Sequence, residues 1–263
     1  MKWTAAKIKA LKGERKIAML TAYDALTASL VEDAGIPAVL VGDSLGMAVL
    51  GYETTLPVSM EEMLHHTAAV SRGITNALII ADMPFMSYQP SVALALENAG
   101  RFLKEARADA VKIEGGAFRA EMIESLVENG VPVLGHIGLT PQSVKEMGGY
   151  KVQGKTSEQA RQLMDDAMAV EQAGAFALVL ECVPAELGEM ISNALAIPTI
   201  GIGAGAGCDG QVLVLTDLLG VSGKPAPKFV KKFATLHPLI AEALASYKTE
   251  VESGAFPSDE HQY

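Results

Sequence analysis

The chain has 263 residues, 49% of them hydrophobic, and a formal net charge of −10. That length suits one (β/α)8 barrel with a large core, and the acidic balance argues against a nucleic-acid partner, which would need a basic stripe. No apolar run approaches the roughly 18 residues that read as a membrane span, and Cys182 and Cys208 form neither a disulfide framework nor a zinc spacing, so a reduced, cytoplasmic setting is expected.

The opening segment, MKWTAAKIKALKGERK, lacks the apolar stretch of a secretory signal and reads as an amphipathic helix. Eight short apolar runs follow, most ending in a polar residue. KIAMLTAYD ends at Asp24, and AVLVGDS ends at Asp43 and Ser44. A helix over 59–72 opens with Ser59 three residues before Glu62, a capping box. ALIIADMP brings Asp82, and 91–107 reads as helix. AVKIEGG brings Lys112 and Glu114, and 118–129 reads as helix, with Gly130 behind it as a C′ residue. PVLGHIG brings His136. Helices over 157–173 and 184–195 flank ALVLECV, which brings Glu181. PTIGIGAG is the seventh run. The eighth, QVLVLTD with Asp217, reads either as a strand or as a short helix capped by Asp209, because only a short glycine-rich segment precedes it. Residues 226–250 read as helix and 254–263 as an extended tail.

Continuous Val/Ile/Leu runs are buried parallel strands. Their alternation with helices implies right-handed βαβ units. Eight of them favour a closed barrel over an open doubly wound sheet. The expected organisation is one domain over 1–263: an α/β (β/α)8 TIM barrel with an N-terminal helix, a C-terminal helical extension and a tail.

The C-terminal ends of barrel strands are where such enzymes keep their chemistry. Asp43, Asp82 and Glu114 come from consecutive strand ends. As an all-oxygen set they suit a hard cation, Mg²⁺ first; the plain alternative is that each caps a helix or pairs with a lysine. An acidic protein that takes an acidic substrate needs such a cation or a local lysine. Lys112 and Glu114 are two apart and face the same side, as a structural ion pair or as a cation offered to a substrate carboxylate or enolate oxygen. Glu181, partly desolvated at the edge of an apolar run, suits a general base; it could equally pair with Lys112 or cap the next helix. His136 is a base, a donor to a substrate oxygen, or a satisfied core histidine. His65 and His66 receive no role. GAGCDG is a weak G-x-G-x-x-G match with no typical helix behind it, and a tight turn explains it. The turn-rich loops 46–59 and 139–156 follow Asp43 and His136, as lids or binding walls.

In order along the chain, LTAYD, VGDSLGM, TLPV, HHTAAV, ADMPFMSY, VKIEGG, GHIGLTPQSV, GGYKVQGK, LVLECVP, IPTIGIGAG, CDGQVLV, PKFVK and EVESGAFP resemble the ketopantoate hydroxymethyltransferase (3-methyl-2-oxobutanoate hydroxymethyltransferase) family, from about Ile17 to Tyr263. The resemblance implies a barrel of the phosphoenolpyruvate/pyruvate type, assembled as a homodecamer. It implies transfer of the one-carbon unit of 5,10-methylenetetrahydrofolate to 3-methyl-2-oxobutanoate, the first committed step toward pantothenate and coenzyme A. It further implies one Mg²⁺ per subunit on Asp43, Asp82 and Glu114, 2-oxoacid contacts from Asp43, Ser44, Asp82 and Lys112, and Glu181 as general base; on physical grounds His136 is a supporting candidate for enolate stabilisation. The family commonly has a histidine where this chain has Thr216, so no catalytic role is expected there. The rival readings are a Mg²⁺-dependent 2-oxoacid lyase or aldolase without folate, and a non-catalytic barrel that binds a small anion.

Overall fold

The computed structural model describes residues 2–223 and 225–263. Eight strands, β1 (Ile17–Thr21), β2 (Ala38–Val41), β3 (Leu78–Asp82), β4 (Ala110–Glu114), β5 (Val133–Gly138), β6 (Ala177–Glu181), β7 (Thr199–Ile202) and β8 (Gly210–Leu213), form a closed parallel barrel in sequence order. The barrel closes where Ile17–Leu20 pairs with Gly210–Leu213. The helices are α1 (Ala5–Lys9), α2 (Ala25–Asp33), α3 (Leu45–Ala48), α4 (Met60–Gly73), α5 (Val92–Lys104), α6 (Ala120–Glu128), α7 (Ser157–Gln172), α8 (Ala185–Ala194), α9 (Leu215–Leu218) and α10 (Leu236–Ser253). Among the described residues no helix is long and apolar enough to cross a membrane.

The capping box expected at Ser59 and Glu62 is present at the start of α4, and Thr156 with Gln159 forms a second at α7. The helix expected across the first sixteen residues is shorter, with Thr4 accepting from the Lys7 amide at its start. The barrel lies in a compact unit that ends at Val214; a second compact unit runs from Leu215. QVLVLTD divides between its two readings. Its first half is β8, and its second half is α9, so Asp217 lies in a short helix rather than at a strand end. The helix expected from residue 226 begins at Leu236 instead. Pro225 and Pro227 withhold backbone donors, and Pro227 disfavours helical backbone at Ala226 before it. The tail bends into a 3₁₀ turn at Asp259–His261 rather than staying extended.

The barrel's interior has two chemistries stacked along its axis. Met19, Leu40, Ile80, Ala110, Leu134, Val179, Ile200 and Val212 pack together, and Ile8 of α1 joins them, fully buried. Burying one such side chain contributes about 1.5–3 kcal/mol. Strand side chains repeat every two residues. Two steps on from Ile80, Ala110, Leu134 and Val179, on the same face, stand Asp82, Lys112, His136 and Glu181. Another two beyond Lys112 stands Glu114. An apolar layer therefore floors a layer of ionisable groups at the strands' C-terminal ends.

Two backbone features hold the ends of β5 and β6. Gly138 has φ 94°, and a Cβ there would run into the Glu181 carbonyl, which accepts from the Leu139 amide at 2.8 Å. Cys182, directly after Glu181, takes φ 49°, a left-handed conformation uncommon for a residue with a side chain. Gly138→Ala is expected to cost about 1–3 kcal/mol, read as a lower urea midpoint at unchanged slope; a parent-like midpoint would refute the close approach.

Candidate active site

Seven sequence-derived candidates end up at one mouth of the barrel. Asp82 closes β3 and Lys112 is its register partner on β4. Glu114 closes β4 opposite His136 of β5, and Glu181 closes β6 opposite Gly138. Asp43 and Ser44 lie in the turn after β2. Asp43, Asp82, Lys112, Glu114 and His136 are each 5% exposed or less, a burial that demands compensation for every charge.

Lys112 supplies most of it. Its Nζ lies 2.9 Å from Asp82 Oδ1 and 3.5 Å from Glu114 Oε1, and it donates to His136 Nδ1 at 3.0 Å. With Nδ1 accepting, the network assigns the ring proton to Nε2, which faces Glu181 Oε2 at 3.2 Å. Each buried acid has one oxygen committed to the scaffold. Asp43 Oδ2 accepts from Gln142 Nε2 at 3.0 Å, Asp82 Oδ2 from the Asp43 amide at 3.2 Å, and Glu114 Oε2 from the Gln142 amide at 3.0 Å. The opposite oxygens of Asp82 and Glu114 are buried without an aligned hydrogen bond, as is His136 Nε2. Their partners are those ion-pair contacts, Lys112 for both oxygens and Glu181 for the ring nitrogen, so the acids keep acceptor capacity beyond what the protein fills.

The electrostatics follow from that crowding. Burial, then the Asp82 and Glu114 charges, push the Asp43 carboxyl well above its usual range. Burial also raises Asp82, with Lys112 offsetting part of the effect. Glu114 is penalised by burial too, but Lys112 and His136 outweigh that and hold it below its usual value. Burial works against the Lys112 charge, yet Asp82, Glu114 and Asp43 keep it firmly protonated. For His136, burial and Lys112 pull downward, while Glu114 and Glu181 set the net direction upward. The cluster is short of positive charge by its own count: one lysine faces three buried acids and Glu181. Among the described residues, however, no group of three or more His, Cys, Asp or Glu side chains is gathered closely enough to hold a metal ion unaided.

Other candidates take structural work. Asp24 caps α2 by accepting from the Thr27 amide. His66 Nδ1 meets the Tyr23 carbonyl at 2.6 Å. The glycine-rich segment ends in Asp209, which accepts from Lys12 Nζ at 2.6 Å and from the Thr199 amide at 2.8 Å, tying the start of β7 to the chain before β1.

Three site residues escaped the sequence reading. Gln142 and Tyr88 bridge the acids, and Tyr23 meets Ser44 Oγ through its hydroxyl at 2.9 Å. All three lie inside stretches that carried the family resemblance. Their burial was the missing signal, and no pattern of neighbouring residues encodes it.

A closed parallel barrel with buried acids, a lysine and a histidine gathered at the C-terminal mouth defines a barrel enzyme. The model of the ketopantoate hydroxymethyltransferase family matches residues 2–259. The 3-methyl-2-oxobutanoate hydroxymethyltransferase of Syntrophus aciditrophicus is 60% identical over 252 residues, 96% of this chain and 92% of that one. The enzyme of the same name from Enterococcus faecalis is 56% identical over 264 residues, 100% of this chain and 96% of that one. The chain belongs to the ketopantoate hydroxymethyltransferase family. In fold it is also similar to 2,3-dimethylmalate lyase, a member of the PEP mutase/isocitrate lyase superfamily (TM-score 0.64, 16% identity, 100% of this chain and 89% of that one). A phosphonopyruvate hydrolase in complex with oxalate and Mg²⁺ is similar too (TM-score 0.64, 14% identity, 99% and 93%).

The raised Asp43 carboxyl has a consequence for stability. A group whose folded pKa is raised contributes fully below its unfolded pKa and loses that contribution as pH rises through the folded one. Asp43 therefore weakens the metal-free fold at neutral pH. In EDTA, Asp43→Asn is expected to melt above the parent at about pH 7, with the difference gone by about pH 4, where the folded carboxyl is already protonated. A lower midpoint for the variant at neutral pH contradicts the sign.

Proposed function

We propose that this chain transfers the one-carbon unit of 5,10-methylenetetrahydrofolate to 3-methyl-2-oxobutanoate, giving 2-dehydropantoate and tetrahydrofolate, the first committed step toward pantothenate and coenzyme A. One observation carries the reading: in a chain of this family, Asp82, Lys112, Glu114, His136 and Glu181 form one buried network at the barrel mouth. The names of the relatives support the oxoacid and the transfer.

The donors fit a hard cation. Asp43, Asp82 and Glu114 offer only oxygen, and Asp82 Oδ1 and Glu114 Oε1 are buried with no partner but the Lys112 ammonium and the His136 ring. Mg²⁺ bound there would act as a Lewis acid on the ketone and so acidify the C3–H. The protein's own set is incomplete, which leaves coordination positions for the substrate's oxygens.

The side chains divide the remaining work. Ser44 Oγ, held by Tyr23, binds the substrate carboxylate. Glu181 removes the C3 proton, with His136 Nε2 holding its carboxylate in place. The Lys112 ammonium, kept charged by the acids around it, faces the negative charge that develops on the ketone oxygen. A fixed charge in a water-poor site is most effective there. We also propose a cytoplasmic homodecamer, one Mg²⁺ per subunit, and residues 215–263 as an extension of a single barrel domain.

Deuterium exchange at C3 of 3-methyl-2-oxobutanoate, followed by NMR in D₂O, tests the reading. Exchange is expected to require Mg²⁺ and to give way to product once methylenetetrahydrofolate is added. Exchange with no folate-dependent product marks a lyase or aldolase instead. Glu181→Gln is expected to slow exchange by about 10²–10⁴-fold while Mg²⁺-dependent oxoacid binding survives; retained exchange removes Glu181 as the base. Asp82→Ala is expected to weaken metal and oxoacid binding together, and a fall in turnover alone would contradict its role as a ligand.

A further inference from the structure

Gln142 is 5% exposed and lies in the 3₁₀ turn after β5, fourteen residues before the Thr156 cap of α7. Its amide uses both ends. Nε2 donates to Asp43 Oδ2 at 3.0 Å and to the Met83 carbonyl at 2.8 Å. Oε1 accepts from the Tyr88 hydroxyl at 2.8 Å and from Gln89 Nε2 at 2.9 Å. A side-chain amide has two donor hydrogens and an acceptor oxygen with two lone pairs, so its capacity is filled. The orientation is not free to reverse. The Met83 carbonyl can only accept, and turning the amide would set oxygen against oxygen there and at Asp43. The backbone amide of the same residue donates to Glu114 Oε2 at 3.0 Å. Tyr88 completes the frame, accepting from the Glu114 amide at 3.2 Å.

One residue thus grips two of the three proposed ligands, each by one oxygen and each with a donor. We propose that Gln142 is the positioning residue of the cation site: locked by Tyr88 and Gln89, it fixes which oxygens of Asp43 and Glu114 are spent on the protein and which are turned toward the cation. This rests on the metal reading of the site given above. The physical reason is economy of rotation. A carboxylate with one oxygen pinned keeps only small freedom for the other, and partners of this kind raise the affinity of metal sites. Without the pin, Asp43 would have to be ordered by the cation itself.

Two variants separate positioning from packing. Gln142→Met keeps the volume and the backbone donor to Glu114 but removes the amide. Gln142→Glu keeps an acceptor for Tyr88 and Gln89 but turns an oxygen on Asp43 and on the Met83 carbonyl. Calorimetric titration of each metal-free protein with Mg²⁺ alone is the measurement, with circular dichroism to establish folding. Both variants are expected to bind Mg²⁺ about 10–100-fold more weakly than the parent. Tyr88→Phe, which leaves Gln142 in place but loosens its lock, is expected to weaken binding by a smaller factor. Parent-like affinity in any folded Gln142 variant overturns the proposal. If both Gln142 variants fail to fold, Tyr88→Phe decides, and parent-like affinity there overturns it. If the parent itself binds no Mg²⁺, the proposed metal site falls and this inference falls with it, an outcome distinct from equal binding by parent and variants.

Discussion

The buried ammonium of Lys112 is the interaction on which the site depends. Asp82, Glu114 and Asp43 surround it at the barrel mouth. Three acids this deep are costly unless a positive charge stands among them. One lysine holds the arrangement together without balancing it. The remaining deficit explains why Asp43 and Asp82 are pushed toward their protonated forms while Glu114, closest to His136 as well, is not. The divalent cation proposed for this site would offset the same deficit.

Alternation along the strands makes this arrangement possible. The residues that floor the barrel and the residues that do chemistry lie on the same inner face, two positions apart. Apolar packing from Ile80, Ala110, Leu134 and Val179 sets the axial height and direction of Asp82, Lys112, His136 and Glu181. The scaffold thus delivers charged groups to within 2.9–3.5 Å of one another, a spacing set by strand register rather than by loop conformation.

Much of this was legible in the sequence, and the reason is local. Apolar runs that end in Asp, Lys, Glu or His carry their own strand assignment and their own place at the C-terminal end. The strand at QVLVLTD was ambiguous because four residues are too few to distinguish periods. Helical spacing continues on paper through Pro227, and the helix forms only from Leu236. Gln142, Tyr88 and Tyr23 were not legible at all. Each gains its importance from partners 21 to 99 residues away, and no local pattern reports which loop residue will be folded inward.

At the opposite end of the barrel, Ile8 plugs the interior, and Lys12 clamps Asp209, which in turn holds Thr199. None of those residues shares a hydrogen bond with the acids at the mouth. Durability and reactivity are therefore inherited through separate sets of positions. A mouth residue can be changed without unlocking the plugged end, and the plugged end can be loosened without disturbing the charges at the mouth.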